Sequence, residues 1–484
     1  MEINAKQDLR KVKTNNILAY GCGDFFGGGS FLIISTLFMV FLTNVAKIPP
    51  QYAAIVVLIG KGWDAISDPL FGILSDKTKS RWGRRRIYFL IGFFPIIISY
   101  ALLWNSFKFN SLALKVVYYT FTYSLFSTVF TAVMVPYNAL VSEMSVEYKT
   151  RARLSGAKMA FSQFSALIAG TVPGYIVNNL YKNNPEMGFR IVGLVFGVVY
   201  AIPWLFVFLG TFEQENIQKE VSTLSLRESF KELKTLLSNK TFKIHIEMYL
   251  LAYVAMDILS TSFIYYATYY LFKADSFYYF LGVFLLAQLL SLAFYIYFSN
   301  KKGKALAYRL GASIIIFVMI LFIIFLNPNS PTYLIIILCA IMGIGFSAII
   351  AMPWAMLPES CDVEILCHGK DRSGAVAGMF TLIRKLTQAV VLWAFGNVLA
   401  IVGFNGELSN QSDLVVNTIR VMFNIVPLIL MILGFLASRK YKVNPETFKI
   451  AREEISRIQN GGKKEDISED NKSVIEELTG HYYN

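Results

Sequence analysis

The sequence predicts an all-α membrane protein whose twelve spanning helices form two bundles of six. Three observations predict it. Of 484 residues, 55% are hydrophobic and 16% are charged, and the mean hydropathy is +0.51, well beyond that of an ordinary water-soluble chain. Apolar runs of about 18 or more residues recur from Ile17 to Tyr200 and from Met248 to Leu436, each long enough to cross a hydrocarbon core about 30 Å thick. One long polar stretch, Glu213 to Lys243, separates the runs into two sets of six.

Taken in order, the expected spans of the first bundle, residues 1–212, are 17–44, 51–75, 87–106, 114–142, 154–179 and 191–212. The polar segment MEINAKQDLRKVK precedes a first run that is too long for a signal peptide and has no small-residue cleavage site. Residues 213–243 form a central loop in which LSLRESFKELKTLL spaces apolar and charged residues as an amphipathic helix under the bilayer does. The second bundle, residues 244–440, holds spans at 244–272, 276–299, 310–326, 331–357, 373–402 and 414–437. Residues 441–484 form a charged tail, in which KKEDISEDNKS is expected to be disordered.

On this topology most of the 45 Lys and Arg lie on the side of the N-terminus, so both termini are expected in the cytoplasm, with the spans in the cell membrane. The net charge of +13 then reflects topology, and no nucleic-acid partner is expected. The basic turn of Asp76, Lys77, Lys79, Arg81, Trp82, Gly83 and Arg84 to Arg86 reads mainly as such an anchor. Cys22 and Cys339 fall in spans, and Cys361 and Cys367 fall in a cytoplasmic-side loop, so no disulfide is expected. Cys361, Cys367 and His368 match no usual zinc spacing and read as an ordinary loop. There is no HExxH, GxSxG or phosphate loop, and the histidines are His245, His368 and His481. The chain therefore does not read as an enzyme.

The second span carries Lys61, Asp64 and Asp68 within an apolar run, and a charge at membrane depth costs several kcal/mol. Asp64 and Asp68 stand at i and i+4, on one helix face with Cβ atoms about 5–6 Å apart. Two such carboxylates fit a hard cation such as Na⁺, which takes oxygen ligands, or a shared proton. Asp64 paired only with Lys61 is the structural alternative. Elsewhere, Asp24 follows Tyr20 by one turn and precedes Gly27 to Gly29, where a helix or a substrate can approach closely. Asp257 is a further acid at membrane depth, lining a cavity or paired with Arg384. Among the aromatics Trp63, Trp104, Tyr137, Trp354 and Trp393, most read as interfacial belts. Trp354, in a PWAML block, is expected to face the cavity.

The run WDAISDPLFGILSDKTKSRWGRRR, with YGCGDFF, TAVMVPYNALVSEM, TRARLSGAKM, PWAMLPES and FTLIRKLTQA, resembles the glycoside-pentoside-hexuronide:cation symporters over nearly the whole chain. The resemblance implies the major facilitator fold, in which two bundles rock around a central site, and import of a sugar or glycoside by symport with Na⁺, Li⁺ or H⁺. No other cofactor is implied, membrane lipid is the surrounding partner, and a monomer is the expected working unit. By resemblance the cation site comprises Asp64, Asp68, Ser67 and Thr131, with Asp64 and Asp68 as the metal-ligating carboxylates. The substrate set comprises Asp24, Tyr137, Asn138, Lys158, Trp354 and Lys385. Met134 and Gly28 depart from the pattern, standing where the family's type member has acids. An anionic substrate such as a hexuronide or glucuronide is the alternative, because Lys61, Lys158, Arg384 and Lys385 supply positive charge.

Overall fold

The computed structural model describes residues 10–107, 109–145, 148–214, 236–369, 373–462 and 464–483. The chain divides into two compact units: Met1–Thr223 with Gly396–Ser409, and Leu224–Phe395 with Asn410–Asn484.

The first unit opens with α1 (Thr14–Cys22) and α2 (Asp24–Ile33), a single rod interrupted at Gly23. It continues through α3 (Pro50–Lys77), α4 (Arg86–Leu103), α5 (Leu112–Met144), α6 (Tyr148–Tyr175) and α7 (Pro185–Gly210). Here α3 packs on α5, α4 on α7, and α1 and α2 on α6. The glycines of α2 serve this packing. A Cβ on Gly28 would stand 2.8 Å from the Ser162 Cα and 2.5 Å from its carbonyl oxygen, so the two backbones meet as small residues allow in membrane helices. Gly28→Val is expected to cost about 1–3 kcal/mol of stability by overpacking. A lowered melting temperature in detergent checks this, and an unchanged one contradicts the close approach.

The basic turn before α4 is built as a cap. The Glu213 carboxylate accepts backbone N–H bonds from Arg84, Arg85 and Arg86, each at 3.0 Å, where negative charge suits a helix N-terminus. Gly83, at φ +100°, makes the approach possible. Arg84 and Arg85 also bind Glu143, at 2.7 and 2.5 Å.

The second unit contains α8 (Lys240–Tyr265), α9 (Phe277–Lys302), α10 (Lys304–Phe325), α11 (Thr332–His368), α12 (Ser373–Ile401) up to Phe395, α13 (Asp413–Arg420) and α14 (Val426–Lys440). Pairs α9 and α11, α10 and α11, and α8 and α14 form its main contacts. Among the described residues, ten helices qualify by length and composition as membrane spans. Helices α3 and α12, of 28 and 29 residues, do not qualify, although both are long enough. Their internal charges, Lys61, Asp64 and Asp68 in one and Arg384 and Lys385 in the other, lower the hydropathy. The chain is an all-α, multi-pass membrane protein.

Three expectations need correction or fall outside the description. Cys361 and Cys367 lie not in a loop but in the last turns of α11, which runs on to His368. There Glu364, Cys367 and His368 converge, and the buried Glu364 accepts from Asn239 at 3.0 Å and pairs with His368 at 2.7 Å. The tail carries α15 (Pro445–Gln459) and α16 (Glu469–Thr479) where disorder was expected. Both have side-chain N-caps, Asn444 and Ser468, and the Thr241 hydroxyl bonds the Leu478 carbonyl at 2.7 Å. The amphipathic helix expected at LSLRESFKELKTLL lies almost wholly outside the described residues.

Within the tail, the Glu454 carboxylate receives Arg457 at 2.7 Å and the Tyr483 hydroxyl at 2.9 Å. Burial alone would raise its pKa, but these hydrogen bonds outweigh burial and hold it below the ordinary 4.5. The folded value is depressed, so its stabilising contribution is full above that ordinary value and is lost as pH falls through the lowered one. The protection of the α15 and α16 amides, measured against their intrinsic exchange rates, is expected to fall as pH drops through the lowered pKa, and Glu454→Gln is expected to flatten that dependence.

Candidate functional site

Helix α3 presents Lys61, Asp64, Ser67 and Asp68 within two turns, against Thr131 on α5. Asp64 is fully buried and Ser67 and Thr131 nearly so, at 0%, 2% and 1% exposure. The hydroxyls link the set: Ser67 Oγ lies 3.2 Å from Thr131 Oγ1, which donates to Asp68 Oδ1 at 3.0 Å. Lys61 Nζ stands 3.3 Å from Asp64 Oδ2. Among the described residues neither Asp64 oxygen receives a hydrogen bond, so the carboxylate keeps open ligand capacity where burial makes that costly. Two carboxylates and two hydroxyls from adjacent helices form the oxygen-rich donor set that a hard monovalent cation takes.

A second polar set occupies the same unit. Asp24, in the first turn of α2, is 7% exposed, and Lys158 Nζ on α6 lies 3.9 Å from its Oδ1. Lys158 also donates to Asn138 Oδ1 at 2.5 Å. Tyr137 stacks on Tyr20 with ring centroids 4.5 Å apart, and its hydroxyl donates to the Tyr20 carbonyl at 2.8 Å. Tyr137 is therefore a buried core residue holding α1 against α5, and Asn138 is the exposed neighbour. Thr131 and Asn138 stand seven residues apart on α5, on one face and separated by about 10 Å along the axis. One helix, with Pro136 between the two positions, thus carries a member of each set. Met134 lies between them, and a Cβ on Gly27 would meet its Cε at 2.8 Å.

The second unit carries a ladder. On α8, Tyr249, Tyr253 and Asp257 follow one another at intervals of four; on α12, Phe380, Arg384 and Gln388 do the same. Tyr249 stacks on Phe380 at 3.8 Å, and Arg384 lies over the Tyr253 ring at 4.6 Å. Arg384 grips Asp257 through both guanidinium nitrogens at 2.7 Å, and Gln388 adds a bond at 3.1 Å. Trp354 is 41% exposed and donates to the Tyr253 hydroxyl at 2.8 Å. Lys385 is half-buried, one position round the helix, and has partners of its own.

The structure thus brings together Ser67, Asp68 and Thr131, with the Asp64 carboxylate one turn away on α3 beside Lys61, and separately Asp24, Lys158 and Asn138. Trp354 joins the ladder. Trp63 and Trp393 are 38% and 39% exposed, whereas Trp104 is fully buried. Sequence reading missed Tyr249, Tyr253, Phe380 and Gln388, although their four-residue spacing marks each trio as one face of a helix.

A family model described as MFS/sugar transport protein matches residues 19–445. The inner membrane symporter YicJ of Escherichia coli (strain K12) is 24% identical, covering 93% of this chain and 96% of its own. The sodium-dependent lysophosphatidylcholine symporter 1 of Xenopus tropicalis is 25% identical, covering 88% and 87%. Among solved structures, a D-xylose-proton symporter superposes with a TM-score of 0.65 at 15% identity, covering 89% of this chain and 98% of that one. The nucleoside transporter NupG superposes at 0.61 and 14%, covering 89% and 100%.

Proposed function

We propose, for a chain that belongs to the MFS/sugar transport protein family, that it imports a neutral sugar or glycoside by symport with a monovalent cation. Within that family we assign it to the glycoside-pentoside-hexuronide:cation symporters, with both termini in the cytoplasm of the cell. The oxygen cluster of Asp64, Ser67, Asp68 and Thr131 is the cation site. Its two hydroxyls favour Na⁺ or Li⁺ over H⁺, because a metal ion uses neutral oxygen ligands whereas a proton needs only a carboxylate. In the first unit Asp24, Asn138 and Lys158 are the substrate-recognising groups; the second unit, taken by itself, offers Trp354 and the Arg384 and Asp257 pair.

One observation carries the choice of a neutral substrate. Three of the four basic residues that argue for an anion have an acid: Lys61 has Asp64, Lys158 has Asp24, and Arg384 has Asp257. Paired charges both donate to and accept from sugar hydroxyls, and they leave no surplus of positive charge for a hexuronide. A zwitterionic headgroup also suits paired charges, and relatives named as lysophosphatidylcholine symporters favour it as the second reading.

Proteoliposomes containing the chain separate these readings. An inward Na⁺ gradient is expected to drive accumulation of labelled neutral glycosides above that of glucuronides and lysophosphatidylcholine. Preferred uptake of lysophosphatidylcholine supports the second reading, preferred uptake of glucuronides the anionic one, and equal uptake with and without any cation gradient overturns symport.

A further inference from the structure

Lys61 is the feature of the cation site that ligand chemistry does not call for. An ammonium donates hydrogen bonds and accepts none, so it cannot ligate a cation, and placing it beside a cation site costs cation affinity. Yet it is buried, at 4% exposure, within 3.3 Å of Asp64 Oδ2 and 3.3 Å above the centroid of the Phe31 ring. The face of an aromatic ring attracts a cation, so the Lys61 side chain has a carboxylate on one side and a ring face on the other.

Charge arithmetic gives it a role. Asp64 and Asp68 supply two negative charges and Lys61 one positive, leaving a net charge of minus one on this set. One monovalent cation makes the set neutral. Without Lys61 the net charge would be minus two, which calls for two monovalent ions or one divalent ion. A transporter that moves between conformations with an unbalanced charge at membrane depth meets an energetic cost on every crossing.

We propose that Lys61 sets the valence and number of the coupling ion: by cancelling one of the two carboxylates, it restricts the site to one monovalent cation per cycle. This rests on the reading of Asp64 and Asp68 as cation ligands.

Four forms of the full-length chain in nanodiscs test it, with Na⁺ and Ca²⁺ as the probes and the cation-dependent rise in melting temperature as the readout. By charge, the wild type stands at minus one, Asp64→Asn at zero, Lys61→Met at minus two, and the Lys61→Met/Asp64→Asn double variant again at minus one. The wild type is expected to be stabilised by Na⁺ and not by Ca²⁺. Asp64→Asn is expected to lose at least about tenfold in Na⁺ affinity, and the double variant to regain most of it although it still lacks a carboxylate. Lys61→Met is expected to bind Na⁺ at least about tenfold more tightly and to gain a response to Ca²⁺. Should that variant not fold, the comparison of Asp64→Asn with the double variant decides, since in both the remaining charges sum to zero or minus one.

A double variant no better than Asp64→Asn, or a Lys61→Met variant with the wild-type response to both ions, overturns the role of Lys61 while leaving the cation site standing. Absence of any Na⁺ response in the wild type, unchanged in Asp64→Asn, instead overturns the cation site and the proposal with it.

Discussion

Substituting Asp68 by Asn is expected to abolish cation-driven accumulation while leaving exchange of substrate across the membrane largely intact. The Asp68 carboxylate is the acceptor for Thr131 at 3.0 Å, so it both supplies charge and orients the hydroxyl of the neighbouring helix. Removing one unit of charge about 4 Å from a cation, at an effective dielectric constant near 20, costs on the order of 4 kcal/mol, or about a thousandfold in cation affinity. Amide replacement preserves shape and the hydrogen-bond acceptor, so the loss is electrostatic. Exchange persists because the groups of Asp24, Asn138 and Lys158 are untouched. Uptake against a gradient, compared with counterflow in the same vesicles, checks this. Equal loss of both would place Asp68 in folding or substrate binding.

The second large effect is on stability. Arg384→Met is expected to destabilise the second unit by about 3–5 kcal/mol, the range for breaking a buried ion pair from one side. Asp257 is 4% exposed and would be left with Gln388 as its remaining partner in the ladder. Replacing both partners, as Asp257→Leu with Arg384→Met, is expected to recover most of that stability, because no uncompensated charge remains. Transport should fail in both forms if the pair also meets substrate. Melting temperatures of the single and double variants settle the structural part, and a double variant as unstable as the single one contradicts it.

The spans were legible because a bilayer demands long apolar runs, and the two helices that fell short did so through their internal charges. Asp64 and Asp68 stood out for the same reason: an acid in an apolar run is conspicuous. What connects them to Thr131 was carried by resemblance, since contacts between distant segments leave no mark in spacing. The Gly27 to Gly29 run stayed ambiguous in sequence because a glycine admits a helix or a ligand equally well, and only the approach of α6 at Ser162 resolves it.

Tyr137, expected in the substrate set, and Trp104, one of the aromatics mostly read as belts, are both fully buried, since composition does not say which way a helix turns its aromatics. By contrast, the tail helices could have been read. Asn444 before Pro445 with Thr447 three residues on, and Ser468 before Glu469 and Asp470, are helix-start signals, outweighed in the reading by the density of charge. The π-type turns at Tyr266–Tyr270 and Val421–Ile425 carried no recognisable signal, because tertiary packing makes them.

The central claim is that the oxygen cluster shared by α3 and α5 holds the coupling cation. Binding of ²²Na⁺ to the purified chain, with Asp64→Asn, Asp68→Asn and Thr131→Val alongside, tests it most directly. One equivalent bound by the wild type, strongly weakened in both Asn variants and moderately weakened in the Val variant, is the predicted result. Sodium bound equally by all four forms would contradict it.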